Sequence, residues 1–288
     1  MTLVYCSIPE QFVNPLFEVF DGGDLILSSY RAVEASLTDV QIYFPEAQRL
    51  DEARKALADA LELVGVKAEL KVREVPDDDW VYAYRRHFTT ERASEHIVVH
   101  PEWEALPATK PGEIVISLDP GLAFGTGKHE TTKACLKLID KVRTREGSRV
   151  DSFLDMGCGS GILAIAAKKL GFGQVTGFDV DAEAVAAAVA NASKNAVAAA
   201  FFKYGLGSKT RRELPKADLV AANILGPLLI KFAGEIVPTV GKYLIISGIL
   251  TEIYPEVKAT FEALGLKELE NLTISEWTTG LLTSTAGL

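Results

Sequence analysis

The sequence predicts an α/β protein in which a mostly parallel sheet, covered on both faces, fills the C-terminal two-thirds and follows a small α+β domain. Three observations carry this reading. From Ser152 onward, short apolar runs of strand length alternate with helical periodicity. Residues 1–75 follow the order βαββαβ. Between the two parts, the run Pro76-Asp77-Asp78-Asp79-Trp80 stops one pattern and starts another.

In the first part, Thr2 to Ile8 reads as a strand, Pro9 to Phe20 as a helix, and Leu25 to Val33 and Asp39 to Phe44 as strands. Pro45 to Val64 carries Leu50, Ala53, Leu57, Ala60, Leu61 and Val64 on one helical face, and Lys67 to Val75 closes the domain as a strand. That order is the split pattern of ferredoxin-like folds, which host many functions. The Asp run supplies an N-cap and favourable charge for a helix from Trp80 to Phe88, read as a linker.

A β-rich patch follows at Ile97 to His100 and Glu113 to Leu118, leading into the glycine-rich loop Asp119 to Thr132. Strands are expected at Phe153 to Met156, Gln174 to Phe178, Phe201 to Tyr204, Ala217 to Ala222 and Tyr243 to Ser247. Helices are expected at Ile162 to Leu170, Ala182 to Asn195, from Pro227, and at Glu252 to Leu264. Leu266 to Ser275 and Trp277 to Ser284 read as a final antiparallel hairpin.

Composition removes several classes of function. Of the 288 residues 48% are hydrophobic and 24% charged, which fits a globular chain, and no run is apolar enough for a membrane span. With no basic-then-apolar leader at the N-terminus, a cytoplasmic location is expected. Cys6, Cys135 and Cys158 are far apart, and His87, His96, His100 and His129 form no ligand-spaced pair, so no metal is expected. The net charge of −9 argues against direct nucleic-acid binding. Thirteen Asp and Glu against seven Lys and Arg in residues 1–75 make that domain attractive to a basic partner.

The sharpest motif is Phe153-Leu154-Asp155-Met156-Gly157-Cys158-Gly159-Ser160-Gly161, a strand running through glycines into a helix. Glycines there let a ligand approach the backbone, and the helix start offers unpaired N–H groups. A dinucleotide fingerprint would need a glycine where Ile162 stands, so that cofactor is disfavoured. A strand later, Asp179 follows Asp155 by 24 residues, where a carboxylate can accept hydrogen bonds from both hydroxyls of a ribose. Asp181 is better read as the cap of the next helix. Asn223 ends the strand Ala217 to Ala222, at the edge where open α/β sheets bind ligands. The loop Gly125-Thr126-Gly127-Lys128-His129 misses the spacing of a nucleotide-triphosphate loop and has no hydroxyl after the lysine.

Taken in order, LDPGLAFGTGKHETTKACL, FLDMGCGSGILAIAAKKLG, GFDVD and ANIL resemble the bacterial PrmA-type methyltransferases, which modify a large-subunit ribosomal protein. The likeness is strong from about Asp119 to Leu228 and supported at Ser247 to Leu250 and at Glu276-Trp277. It implies a Rossmann-like class I methyltransferase domain at 93–288, a linker helix at 76–92 and a substrate-recognition domain at 1–75. It also implies S-adenosylmethionine as cofactor, held by Phe124, Gly125, Thr126, Thr132, Asp155, Gly157, Gly159, Asp179 and Asn223. Asn223 is the candidate catalytic residue, holding the acceptor amine. His129 is the candidate base, although a structural role in the loop is the better reading. Two departures stand out: Lys128, where a bulkier or hydroxyl residue is usual, and Ala196, where a glycine would follow Asn195.

The resemblance implies transfer of methyl groups to lysine or N-terminal amines of a basic ribosomal protein; a monomer is expected. Two rivals are lysine methylation of another protein and a cofactor-sensing module without turnover. The motif Asn223-Ile224-Leu225-Gly226 lacks the D/N-P-P-Y of enzymes that act on base amines or glutamine amides, so a planar substrate is disfavoured.

Overall fold

The computed structural model describes residues 2–20, 27–30, 37–44, 49–74, 89–118, 129–208 and 213–284. The chain divides into two compact units, Met1–His87 and Phe88–Leu288. The expected helix Trp80 to Phe88 and the loop residues Phe124, Gly125, Thr126 and Lys128 lie outside the described residues.

In the first unit the strands β1 (Thr2–Ile8), β2 (Leu27–Tyr30), β3 (Thr38–Phe44) and β4 (Lys71–Glu74) form an antiparallel sheet in the order β2-β3-β1-β4. Helices α1 (Val13–Phe20) and α2 (Leu50–Leu63) bury one stripe each. Val4, Cys6 and Ile8 of β1 meet Leu16 of α1 and Ala53, Leu57 and Leu61 of α2. Alternation along β1 and 3.6 periodicity along α2 put these side chains on facing surfaces.

The second unit opens on a separate sheet of three short strands, β5 (Glu91–Arg92), β6 (Ile97–Pro101) and β7 (Ile114–Leu118). Glu91 and Arg92 fall inside the span 76–92 expected as a linker helix, but they pair with Val99 and Val98 of β6 and belong to this sheet. Helix α3 (Glu130–Glu146) follows; the sequence reading has a loop up to Thr132 and no helix here. Cys135, Leu138, Ile139 and Val142 form its buried stripe.

The main sheet comprises β8 (Ser152–Met156), β9 (Gln174–Asp179), β10 (Ala200–Lys203), β11 (Ala217–Asn223), β12 (Val240–Leu250), β13 (Leu266–Ile274) and β14 (Trp277–Ser284). Its order is β10-β9-β8-β11-β12-β14-β13, with the first five strands parallel and the closing hairpin antiparallel. Successive residues enter opposite layers: Phe153 one and Leu154 the other, Leu219 and Ala221 one and Val220 and Ala222 the other. The first layer is covered by α3, α4 (Ile162–Lys169) and α5 (Ala182–Lys194), the second by α6 (Gly226–Ile236) and α7 (Tyr254–Ala263). Among the described residues no helix is long and apolar enough to cross a membrane, and no group of three or more His, Cys, Asp or Glu could hold a metal ion.

Candidate active site

The site forms at the carboxyl ends of β8, β9, β10 and β11, where parallel strands reverse their order outward from β8. The first turn, Gly157 to Gly161, places Gly157 at φ +68° and Gly161 at φ +78°. A Cβ on Gly157 would stand 2.7 Å from Cγ2 of Ile224, and one on Gly161 would stand 2.9 Å from Cβ of Ala188. The first glycine therefore keeps β8 close to the end of β11, and the second lets α4 pack on α5.

The first three amides of this turn are already used. Those of Gly157 and Cys158 both donate to the carbonyl of Phe178 at 2.9 Å, and Gly159 N–H donates to Oδ2 of Asp179 at 2.9 Å. These three are therefore not free donors for a ligand. What the turn offers is open space beside the Asp179 carboxylate, which suits a neutral or cationic group.

A cavity of about 390 Å³ opens over the turn. Gly157 and Gly159 form one side, and Asp179 with Val180 the end of β9. Tyr204, Gly205, Leu206 and Phe232 make an apolar slot, and Asn223, Ile224 and Leu228 close the far side. The volume matches a nucleoside-sized ligand. Asp179 also accepts from Asp181 N–H at 3.0 Å through Oδ1, and two carboxylate oxygens keep further lone pairs for a pair of adjacent hydroxyls. Asp181 itself caps α5, accepting from Glu183 N–H at 2.9 Å.

A second cavity of about 400 Å³ adjoins the first and shares Asn223, Ile224 and Leu228 with it. His129, Thr131, Leu225, Gly248 and Trp277 complete its lining. His129 stacks edge-on against Trp277, ring centroids 5.2 Å apart, so this histidine has a partner contributed by β14. Its Nδ1 accepts the Thr131 amide at 3.3 Å, capping α3. A backbone N–H can only donate, so the neutral ring carries its proton on Nε2.

Two expected contacts lie apart from both cavities. Asp155 is buried beneath the turn and accepts from Ala164 N–H at 3.2 Å, fastening the start of α4. Burial, reinforced by the charge of Asp179, pushes its carboxyl up to about 7. Thr132 is also buried, and its hydroxyl is the single buried side-chain polar atom among the described residues without a hydrogen-bond partner. Gly157, Gly159, Asp179 and Asn223 are brought together. The reading of the sequence missed Val180, Tyr204, Leu206 and Phe232; the first three follow the strands β9 and β10, the position at which open α/β sheets bind ligands.

A family profile described as ribosomal protein L11 methyltransferase (PrmA) matches residues 22–284. A ribosomal protein L11 methyltransferase of Desulforapulum autotrophicum is 40% identical over 225 residues, covering 77% of this chain and 72% of its own. One of Geobacter sp. (strain M21) is 35% identical and covers 95% of each chain. The crystal structure of a ribosomal protein L11 methylase from Lactobacillus delbrueckii subsp. bulgaricus superposes with a TM-score of 0.61 at 30% identity, over 68% of this chain and 99% of that one. With a matched span that runs through both cavities and on to β14, the chain belongs to the ribosomal protein L11 methyltransferase family.

Proposed function

We propose that this chain transfers methyl groups from S-adenosylmethionine to amino groups, of lysine side chains or an N-terminus, on ribosomal protein L11. The observation that carries the reading is the placement of Asn223 on the border of two cavities, one fitted to a nucleoside and one walled by aromatic and apolar side chains.

When bound, the cofactor supplies an electrophilic methyl group on a sulfonium. Asp179 accepts the ribose hydroxyls, and the apolar slot of Tyr204, Leu206 and Phe232 takes the flat base. Gly157 and Gly159 leave room for the methionine end, and the buried carboxylate of Asp155 holds the turn in place from below. Asn223 accepts a hydrogen bond from the incoming amine and points its lone pair along the line of displacement. From a reference pKa near 10.4, presenting the neutral amine costs about 4.6 kcal/mol at pH 7. The apolar walls Ile224, Leu225, Leu228 and Trp277 reduce that cost by disfavouring the ammonium. His129, with Nδ1 engaged and Nε2 protonated, serves as cap and wall and not as the base. Residues 1–75, with their acidic surplus, grip the basic substrate.

Tritiated-methyl transfer from the cofactor to purified L11 tests the reading. Label on L11 is expected; cofactor binding without label on that protein defeats the substrate assignment.

A further inference from the structure

Beneath the second cavity, α3 and the sheet are joined by uncharged hydroxyls. Ser247, fully buried, stands level with Asn223 in the β11/β12 register. Its Oγ donates to the Thr131 carbonyl at 3.3 Å and lies 2.6 Å from Oγ1 of Thr279. A carbonyl can only accept, so the single Ser247 proton is committed there and Thr279 is the donor to Ser247. Burial pushes the thiol of Cys135, on the same face of α3, up to about 12, so the cluster stays neutral.

The backbone is shaped for this contact. Ile246 pairs with Gly280 and Ile249 with Thr278, so Ser247 and Gly248 together oppose Thr279 alone. This is a β-bulge, a device that re-aims side chains. Gly248 sits at φ +80°, and a Cβ there would stand 2.5 Å from the Ile224 carbonyl. The three bridged residues track the three walls of the cavity: Thr131 follows His129 by two residues, Thr279 follows Trp277 by two, and Ser247 neighbours Asn223.

We propose that Ser247 and Thr279 are positioning residues for methyl transfer: the bulge and its two hydroxyls set the separation between Asn223 and the His129–Trp277 wall. This rests on reading that cavity as the amine site. Neither hydroxyl lines either cavity, so the effect is on geometry and not on contact with substrate.

The test compares full-length Thr279→Val, which keeps the volume and removes the hydroxyl, with Thr279→Ser, which keeps the hydroxyl, and runs Asn223→Ala in parallel. Thr279→Val is expected to lower kcat about tenfold to a hundredfold while S-adenosylhomocysteine binds within about twofold of the parent, and Thr279→Ser to recover most of the rate. A Thr279→Val enzyme with the parent kcat, a Thr279→Ser enzyme as slow as the valine form, or a joint fall of kcat and cofactor affinity overturns the proposal. Should Thr279→Val not fold, Ser247→Ala breaks the chain at its next link and is judged by the same criteria. If Asn223→Ala slows turnover and Thr279→Val does not, the bridge alone falls; if Asn223→Ala leaves kcat intact, the amine-site reading falls with it.

Discussion

The carboxylate of Asp179 accepts the backbone N–H of Gly159 at 2.9 Å, tying the end of β9 to the turn that follows β8. One side chain thus shapes the floor of the nucleoside cavity and faces into it.

Replacement by asparagine separates these duties. In Asp179→Asn the side-chain amide oxygen can still accept from Gly159, but the NH₂ then faces the Asp181 amide and the ribose, donor against donor. Hydrogen bonds to a charged group are worth about 1.5–3 kcal/mol, so affinity for S-adenosylhomocysteine should fall about tenfold to a hundredfold by calorimetry. Unchanged affinity would remove Asp179 from the binding site.

Asp155 is expected to couple cofactor binding to pH. Its folded-state value of about 7 lies above the ordinary 3.8, so the folded chain holds a proton the unfolded chain has lost. That contribution to stability is present at low pH and is lost as pH rises through the window from 3.8 to about 7. A cation held above the turn favours the carboxylate and expels the proton. Affinity for the sulfonium cofactor should therefore rise with pH up to about 7 and then level, and rise less for the uncharged thioether product. A ratio of the two affinities that stays constant with pH would disconnect Asp155 from the sulfonium.

For His129 the expectation is a cap without an acid–base role. Asparagine is a good N-cap, so His129→Asn should keep helix α3, lose the stacking on Trp277, and leave the shape of the pH–rate profile intact. Disappearance of a limb in the histidine range would make this residue the base after all.

Ala196 gives a stability prediction. Its φ of +53° places a methyl-bearing residue in the left-handed region, immediately after Asn195, whose side chain is bonded to Ser117 and Asn191. The position where a glycine would follow Asn195 is thus strained. Ala196→Gly should stabilise the chain by about 0.5–1 kcal/mol in thermal or denaturant unfolding. Destabilisation would show that the turn tolerates the methyl group without cost.

What was legible in the sequence followed local pattern. Gly157, Gly159 and Asp179 were found because a glycine turn and a strand-ending carboxylate are read over a few residues and one helix–strand repeat. The parallel run β8 to β12 was legible because its strands are apolar on both faces. Helix α3 was missed although Cys135, Leu138, Ile139 and Val142 have helical spacing, because the glycine loop before it drew the reading onward to Thr132. The commitment of the turn amides could not be read, since their acceptors belong to β9. Nor could the His129–Trp277 contact, which joins residues far apart in the chain.

The antiparallel insertion of β14 between β12 and β13 has a consequence for how the enzyme matures. Among the described residues, all that line the first cavity precede residue 233, whereas Trp277 and Thr279 are made only at the last hairpin. During synthesis the lining of the first cavity is encoded first, and the aromatic wall that completes the second is added at the close.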